Sequence, residues 1–347
     1  MTTRPLVALA MGDPAGISPE LTAKLVAHDD IRARCRLVVI GDRRIFEGGA
    51  RVAGVSPHLK TVEQGSDFGS EEGEAVFLDL GHLDPAKIER GTASLAGGKF
   101  ALTNYRHALE LGRDGRVDAV CFTPFNKQAM RLARADYDDE IAFSAETVGL
   151  TTAASEFNVL GQLWNARVTS HIPLRDVASR LSTERIHRAL ALTDTCMRKA
   201  GFARPRIAVA GLNPHAGDGG SFGREEIDVI APAVAVGQRD GIAAEGPFPA
   251  DTVFLRAKAG AFDAVLTMYH DQGQIAMKLM GFDRGVTLLG GFPFPICTPA
   301  HGTAYDIAGR GIASVGASHA ALLLAAEMAA AQKLLVNGAR ASSATGS

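Results

Sequence analysis

The sequence lacks the patterns that mark several large classes of protein. Basic and acidic residues nearly cancel, 36 against 38 in 347 residues, so no electrostatic footprint indicates nucleic acid or an anionic membrane as partner. No stretch approaches the ~18 uninterrupted apolar residues of a membrane span, and the N-terminus shows no signal-peptide pattern. The 4 cysteines form no CxxC pair, which suits a reducing compartment. We therefore expect a cytoplasmic protein that acts on a small-molecule substrate.

A further absence concerns nucleotide binding. Nowhere does a predicted strand run into GxGxxG and then into a helix, so a Rossmann-type site has no support. If a nicotinamide cofactor binds, another architecture must hold it.

What the sequence does contain is a regular alternation of short apolar runs and amphipathic stretches. This alternation of strand and helix patterns predicts an α/β fold with a largely parallel sheet. The length of the chain favours two subdomains. The small, polar C-terminal residues 337–347 are predicted to form a flexible tail. The strand candidates include Pro5–Met11, Cys35–Ile40, Ala75–Leu80, Val117–Phe122, Asn165–Ser170, Ile207–Gly211 and Ala264–Tyr269, and the helix candidates include Glu20–Ala27, Ser94–Leu111, Ser182–Lys199, Glu225–Val236 and Gly316–Leu334.

Three histidines, His171, His215 and His270, each follow a predicted strand directly. The carboxyl ends of parallel strands line one edge of a sheet, so these side chains can converge although they are far apart in sequence. Neutral imidazoles suit Zn²⁺ and other divalent first-row ions, and three of them leave coordination positions for a substrate. The residues alone leave two interpretations open, a metal site or three separate hydrogen-bonded histidines.

Longer segments resemble a known family. AHGTAYDIAGRGIA, from Ala300 to Ala313, resembles the adenine-side cofactor loop of isopropylmalate and isocitrate dehydrogenases, which bind NAD(P) without a Rossmann fold. Five further segments resemble, in the same order along the chain, the 4-phosphohydroxythreonine dehydrogenase family. They are ALAMGDPAGISPE (Ala8–Glu20), TSHIPLRD (Thr169–Asp176), GLNPHAGDGG (Gly211–Gly220), GPFPADTVF (Gly246–Phe254) and MYHDQG with KLMGFDRGV (Met268–Val286).

This resemblance implies an isocitrate/isopropylmalate dehydrogenase-like fold, with two α/β/α subdomains, a cleft between them and a homodimer whose active sites are shared. We assign residues 1–124 and 300–336 to a cofactor-side subdomain and residues 125–299 to a subdomain that binds metal and substrate. The implied reaction is the NAD(P)-dependent oxidation of a secondary alcohol in a hydroxy acid. The resulting β-keto acid can then lose carbon dioxide.

The resemblance also assigns roles to residues. It places the divalent metal ion (Zn, Mg, Mn or Co) on the three histidines and the substrate on Lys278. Lys278, Asp251 and Asp271 are the candidates for proton transfer or ligand orientation. The cofactor loop comprises His301, Gly302, Thr303, Ala304 and Asp306.

Departures from the family pattern concentrate among the predicted substrate residues. Where the family has Gly-His-Thr-Glu, this chain has Asp139, Glu140, Ile141 and Ala142; Thr287 replaces an asparagine, and Ile296 replaces an arginine. Because isoleucine cannot replace an arginine as a phosphate ligand, we predict a non-phosphorylated diol carboxylate such as the cis-dihydrodiol of terephthalate, in aromatic catabolism. The alternatives are 4-phosphohydroxythreonine oxidation in vitamin B6 biosynthesis and a phosphate acyltransferase-like enzyme.

Overall fold

The computed structural model describes residues 4–68 and 75–344. The chain folds into two compact units. Unit 1 is drawn from Met1–Thr152 and Val286–Ser347, and unit 2 is Ala153–Gly285. Unit 2 is therefore an insertion between the two segments of unit 1.

The strands alternate with helices along most of the chain, as the apolar pattern predicted. In chain order the strands of the described residues are β1 (Leu6–Ala10), β2 (Arg36–Gly41), β3 (Lys60–Val62), β4 (Val76–Asp79), β5 (Ala119–Phe122), β6 (Ser155–Leu160), β7 (Leu163–Arg167), β8 (Arg206–Ala210), β9 (Ala243–Phe248), β10 (Ala264–Thr267), β11 (Val286–Gly290) and β12 (Ile296–Pro299).

The α-helices follow the same order. They are α1 (Ser18–Ala27), α2 (Asp29–Arg34), α3 (Arg43–Ala53), α4 (Leu95–Arg113), α5 (Lys127–Ala133), α6 (Glu140–Val148), α7 (Val177–Arg180), α8 (Thr183–Lys199), α9 (Ala231–Arg239), α10 (Ala250–Lys258), α11 (His270–Gly281) and α12 (Gly316–Ala344). A π-helical turn, Glu226–Ile230, precedes α9. No helix in the described part of the chain combines the length and apolarity needed to cross a membrane.

Unit 1 is built on a sheet of order β3-β4-β2-β1-β5-β12-β11. Its neighbouring strands pair in parallel, except that β11 and β12 are antiparallel. The central strand β1 is almost wholly buried, as expected where helices cover both faces of a parallel sheet. Because β1, β5 and β12 run in the same direction, the loops that follow them lie at one edge.

Unit 2 has a smaller sheet of order β6-β7-β10-β8-β9. Strands β7, β10, β8 and β9 are parallel, and β6 pairs antiparallel with β7. The core of the unit packs on β8 and β10 and includes Val253, Phe254 and Val265. The carboxyl ends of β7, β10 and β8 are adjacent, and this placement decides where the candidate metal ligands lie.

The unit boundaries differ from those assigned from the sequence. Residues 125–152 and 286–299 were assigned to the metal and substrate side, yet both lie in unit 1. The physical reason is packing, because α5 and α6 contact α4 while β12 extends the sheet beside β5. At the C-terminus, α12 continues to Ala344, where a tail was predicted to begin at residue 337; residues 345–347 lie outside the described part.

Candidate metal and cofactor sites

The three predicted metal ligands follow three adjacent parallel strands of unit 2. His171 lies in the loop after β7, His215 in the loop after β8, and His270 opens α11 directly after β10. The strand ends are adjacent because β10 pairs with β7 on one side and with β8 on the other. The arrangement places all three histidine loops at one edge of the sheet.

His171 and His270 line the same cavity, with their ring planes tilted by 44° to one another. Their ring centres are 5.7 Å apart, and both line a cavity of about 480 Å³ together with Thr169, Ser170 and Tyr269. Two imidazoles that share one zinc, with metal–nitrogen distances of about 2.0–2.1 Å, place their ring centres roughly 5–6 Å apart. The pair therefore fits a shared divalent ion.

The adjacent carboxylate fixes the orientation of the His270 ring. His270 Nδ1 lies 2.6 Å from Asp271 Oδ1 and donates a hydrogen bond to it. A carboxylate on one ring nitrogen selects the tautomer whose other nitrogen carries the lone pair. Nε2 of His270 is thus the atom left to ligate a metal, and Asp271 acts through the imidazole.

His215 lies on an unusual loop. Residues 215–219 all have positive φ, from 44° at Asp218 to 82° at Gly217, so the backbone makes a left-handed turn. His215 is exposed, and its ring centre lies 6.1 Å from that of Phe222. Within residues 4–68 and 75–344, no group of three or more His, Cys, Asp or Glu side chains is close enough to hold a metal ion. The three-histidine site therefore stays a prediction.

A buried carboxylate holds this left-handed loop. Glu226 is 2% exposed; its Oε1 accepts hydrogen bonds from the backbone N–H groups of Leu212 and Asn213, both at 2.7 Å. Its Oε2 accepts a bond from Asn213 Nδ2 at 2.9 Å. Burial alone would raise the pKa of Glu226, but the bonds from Asn213 and Leu212 outweigh it and lower that pKa. A Cβ on Gly217 would lie 2.7 Å from Glu226 Oε2, so the loop requires glycine there.

The remaining predicted catalytic residues lie on two helices of unit 2. Asp251 is exposed in the first turn of α10, and Lys278 is exposed in the last turn of α11. Of Asp251, Lys278 and Asp271, Asp271 is the one that lines the cavity shared by His171 and His270. The roles of Asp251 and Lys278 stay predictions.

The predicted cofactor loop, His301–Asp306, lies in unit 1 against the loop that follows β1. The N–H of Ile17 donates to the carbonyl of Thr303 at 3.0 Å, and the Tyr305 hydroxyl donates to Asp13 Oδ2 at 2.5 Å. A Cβ on Gly16 would lie 2.6 Å from the Thr303 carbonyl oxygen. The two loops thus touch backbone to backbone, at a distance that only glycine allows.

A partly buried ion pair holds the end of the segment Ala300–Ala313. Lys24 Nζ bonds to Glu20 Oε1 at 2.7 Å and also donates to the carbonyls of Gly311 and Ala313. Glu20 Oε1 accepts the N–H of Ala313 at 2.8 Å. Sequence reasoning gave Glu20, Lys24 and Asp13 no role, although Asp13 and Glu20 lie in the recognised segment ALAMGDPAGISPE. Burial raises the pKa of Asp13 despite the bond from Tyr305.

A cavity of about 250 Å³ adjoins these anchored loops in unit 1. Its lining includes Gly16, Glu20, Arg44, Arg90 and Gly309. It combines backbone from a glycine-rich loop with guanidinium groups, which suits the adenosine and phosphate parts of a dinucleotide. The residues present therefore fit part of a dinucleotide near Gly309, but none of the predicted cofactor residues His301–Asp306 lines this cavity.

Besides Lys278 of unit 2, the predicted substrate residues lie at two places in unit 1, on the strand pair β11–β12 and at the start of α6. Ile296 is 0% exposed and pairs with Leu289 and Val120 in the sheet, so it is part of the core and faces no open pocket. Thr287 is half-buried on β11. Glu140 opens α6, with Oε2 3.7 Å from Lys127 Nζ, and Ile141 follows it, also half-buried.

Comparison with known proteins gives a consistent result across almost the whole chain. A family model described as pyridoxal phosphate biosynthetic protein PdxA matches residues 33–325. A Rhizobium meliloti protein provisionally named 4-hydroxythreonine-4-phosphate dehydrogenase 2 is 62% identical over 332 residues, 96% of this chain and 95% of that protein. The D-threonate 4-phosphate dehydrogenase of Cupriavidus necator is 38% identical and covers 94% of this chain and 97% of its own.

Comparison with solved structures gives the same result as comparison with the sequences. The crystal structure of 4-hydroxythreonine-4-phosphate dehydrogenase from Klebsiella pneumoniae matches with TM-score 0.80 and 35% identity, covering 94% of this chain and 99% of that chain. A terephthalate 1,2-cis-dihydrodiol dehydrogenase from Burkholderia xenovorans matches with TM-score 0.64 and 29% identity, covering 95% and 98%.

The fold and these likenesses define an oxidoreductase of the dehydrogenase class that acts on a CH–OH group. The chain belongs to the PdxA family of pyridoxal phosphate biosynthetic proteins. Both the predicted α/β fold and the predicted family are confirmed.

Proposed function

We propose that this protein oxidises the secondary hydroxyl of a 4-phosphorylated hydroxy acid, with 4-hydroxythreonine 4-phosphate as the first candidate and vitamin B6 biosynthesis as its setting. The observation that carries the proposal is the 62% identity, over 96% of the chain, to a relative provisionally named for that substrate. The dihydrodiol prediction is replaced, because the dihydrodiol dehydrogenase is a more distant match at 29% identity and TM-score 0.64.

The burial of Ile296 removes one of the grounds that had favoured a non-phosphorylated substrate, while the replacement of Gly-His-Thr-Glu by residues 139–142 stands. The argument from Ile296 treated it as a pocket residue and inferred an apolar pocket from it. With 0% of its surface exposed, Ile296 contacts protein alone, so its lack of charge says nothing about the charge of a ligand.

D-Threonate 4-phosphate is the second candidate, supported by the 38% identical relative named for it. By their names the two compounds share a C1 carboxylate, a C3 hydroxyl and a C4 phosphate, and they differ at C2, which carries an amino group or a hydroxyl. Oxidation at C3 gives a β-keto acid in either case. We propose that loss of carbon dioxide follows.

We propose a divalent ion on His171, His215 and His270 and NAD(P) beside His301–Asp306. When bound, the ion lowers the pKa of an alcohol and polarises a carbonyl oxygen, and the nicotinamide accepts hydride. The chain's own contribution is placement, because Asp271 orients His270 through the 2.6 Å bond. Lys278 neutralises substrate charge, and Asp251 or Asp271 accepts the proton.

We further propose that the enzyme works in the cytoplasm as a homodimer with shared active sites. The described residues of one chain bring no three metal-ligating side chains together, although His171 and His270 are paired. A partner subunit that approaches this edge of unit 2 would bring its own copy of one of these three histidines, so that histidines of both subunits complete each set of three.

Initial rates of NAD(P) reduction test the proposal. The purified protein is assayed with 4-hydroxythreonine 4-phosphate, D-threonate 4-phosphate and the terephthalate dihydrodiol, with carbon dioxide release measured in parallel. We expect turnover of a phosphate ester that chelator abolishes and that zinc, manganese or cobalt restores. Turnover of the diol acid alone would refute the proposal.

Substitution of a predicted ligand tests the metal site separately from the integrity of the fold. His215→Ala should abolish turnover while NAD binding, measured by titration calorimetry, is kept. His187→Ala is the matched control, since His187 lies on α8 and bonds Asp240 at 2.7 Å. Equal activity of His215→Ala and wild type would exclude the metal role.

A further inference from the structure

The cavity of about 250 Å³ in unit 1 carries positive charge that the surrounding protein does not neutralise. Arg51 and Arg90 line it, and within residues 4–68 and 75–344 neither side chain forms a hydrogen bond or an ion pair. Arg44 also lines the cavity, but Asp42 accepts from its Nη2 at 2.8 Å and from its Nε at 3.0 Å. Two uncompensated guanidinium groups therefore face this space, and they favour an anion.

The acidic side chain at the same cavity is neutralised, yet it lacks one hydrogen bond. Glu20 Oε1 bonds to Lys24 Nζ at 2.7 Å and to the N–H of Ala313 at 2.8 Å, so the charge of the carboxylate is balanced. Its Oε2 is buried and accepts no hydrogen bond from the described part of the chain. A buried acceptor without a donor costs free energy, and a hydroxyl group of a ligand is a donor that would satisfy it.

The middle of α3 leaves the cavity open. Gly48 and Gly49 both line it, although glycine is less favourable than alanine inside a helix. Packing explains Gly49, because a Cβ there would lie 2.2 Å from the Pro19 carbonyl oxygen. Packing does not explain Gly48, since the one atom within 4 Å of a Cβ there is Arg51 Nη2, at 3.8 Å. The space beside Gly48 is thus not needed by the protein's own side chains.

Arg90 lies against Gly309, which belongs to the segment that resembles the adenine-side cofactor loop, Ala300–Ala313. A Cβ on Gly309 would lie 2.6 Å from Arg90 Nη1, and the φ of Gly309 is 76°. Only glycine allows this contact between the guanidinium group and the backbone. Arg90 therefore joins the cavity to the end of the cofactor segment.

We propose that this cavity is a phosphate-ester site, in which Arg51 and Arg90 bind the phosphate and Glu20 Oε2 accepts a hydroxyl of the same ligand. The planar fork of arginine matches phosphate oxygens, and a phosphomonoester carries close to two negative charges near pH 7. The volume of about 250 Å³ is below the roughly 300–1,000 Å³ of sites for a whole drug-sized ligand.

The occupant is therefore a free sugar phosphate or the ribose-phosphate end of the dinucleotide, which share this chemistry. The site itself does not depend on the proposed reaction. The dinucleotide as its source does, since that choice rests on the proposed binding of NAD(P).

Calorimetric titration of the full-length protein tests the site. The probes are ribose 5-phosphate, for a free sugar phosphate, and NADP and NAD, for the dinucleotide. Arg51→Gln and Arg90→Gln each remove one cation from the cavity. Arg43→Gln is the matched control, because Arg43 also lies on α3 but pairs with Glu47 at 3.0 Å and does not line the cavity. Circular dichroism checks folding, and NAD(P) reduction by wild type is measured in parallel.

We expect Arg51→Gln and Arg90→Gln each to weaken binding about 10-fold or more, the effect of losing a hydrogen bond to a charged group, while Arg43→Gln binds like wild type. Weaker binding of NADP or NAD would identify the dinucleotide as the source, and weaker binding of ribose 5-phosphate alone would identify a separate metabolite.

Three results would overturn the proposal. They are wild type that binds none of the probes, arginine variants that bind every probe like wild type, and an equal loss in Arg43→Gln. If the arginine variants bind like wild type while wild type reduces NAD(P), this site falls and the proposed function stands. Arginine-dependent binding of ribose 5-phosphate by a protein without turnover would have the opposite meaning.

Gly48→Ala tests the site by a change that should stabilise the fold. Alanine is the better helix former, and its Cβ would make an ordinary contact with Arg51 Nη2 at 3.8 Å, so the melting temperature should be equal to or above that of wild type. The same methyl group takes space from the ligand, and we expect binding of the phosphate probe to weaken about 5-fold or more. Unchanged binding by this variant would show that no ligand fills the space and would overturn the proposal.

Discussion

The left-handed loop that carries His215 should depend on Glu226 more than on any residue of its own. The perturbation is Glu226→Ala. It removes an acceptor of two backbone N–H bonds, from Leu212 and Asn213 at 2.7 Å each, and each orphaned donor costs at most about 1–3 kcal/mol, the range for a fully buried group. If the loop kept its conformation, the loss would be roughly 2–6 kcal/mol.

The loop can also respond to the loss of Glu226 by changing its conformation. His215, Ala216 and Asp218 adopt φ of 55°, 54° and 44°, and left-handed backbone costs about 1–2 kcal/mol for each such residue. Relaxing the loop recovers this strain and exposes the orphaned N–H groups to water. We therefore expect a net loss of about 2 kcal/mol in the free energy of unfolding, at the lower end of the range, together with local opening of the loop.

Urea denaturation measures the loss in the free energy of unfolding, and hydrogen exchange measures the local opening of the loop. In Glu226→Ala the amides of Leu212 and Asn213 should lose protection while the core strands keep theirs. Glu225→Gln is the control, because Glu225 accepts a hydrogen bond from the side-chain Asn213 Nδ2, at 2.7 Å, and none from the backbone N–H groups of Leu212 and Asn213. Unfolding free energy within about 0.5 kcal/mol of wild type, with unchanged protection of these amides, would refute the reasoning.

The same group predicts a pH dependence. The pKa of Glu226 is lowered in the folded state because hydrogen bonds to the ionised form outweigh burial. Its contribution to stability is therefore fully present above the unfolded pKa of about 4.3 and is lost as the pH falls through the lower folded pKa. Glu226→Gln should flatten that part of the acid-stability profile; a profile that matches wild type would contradict the assignment.

The remaining predictions concern unit 1. Tyr305→Phe removes the 2.5 Å bond to Asp13 and should weaken NAD binding several-fold, from a loss of about 1 kcal/mol; calorimetry that shows equal affinity would mean that this bond does not hold the cofactor loop. Ile296→Arg places a cation at a position with 0% exposure and should cost about 4 kcal/mol or more, or prevent folding. A stable variant with improved use of a phosphorylated substrate would restore the pocket role that the sequence suggested.

How far the sequence predicts the structure depends on how strongly the surroundings of each segment restrict its residue types. The apolar runs of β1, β2 and β10 identify them because parallel central strands are buried on both faces. The position of His270 follows from β10, and those of His171 and His215 follow from the predicted strands that correspond to β7 and β8. Strand β9, with the sequence AAEGPF, and the four-residue β12 carry no comparable signal, since small residues and prolines also suit loops.

The anchoring contacts could not be read from the sequence because their partners are distant along the chain. Glu226 lies behind a turn for which glycines are the sole signal in the sequence. Its hydrogen bonds go to backbone N–H groups, which almost every residue has, so the sequence does not reveal which ones it binds. Tyr305 bonds to Asp13 although the two residues are 292 positions apart in the sequence. The prediction that Ile296 faces the substrate failed for a different reason. Matching this residue to an arginine of the family gives its position in the chain, but not whether its side chain is exposed.

The insertion of unit 2 between the segments of unit 1 sets an order of events during synthesis on the ribosome. Strand β5 pairs with β1 at once, but its other neighbour, β12, is made only after the whole of unit 2. At about 5–20 residues per second, that edge stays unpaired for on the order of ten seconds, and exposed strand edges invite association with other chains. Nascent unit 1 therefore lacks this strand until unit 2 has been made, and this interval is when chaperones would be needed most.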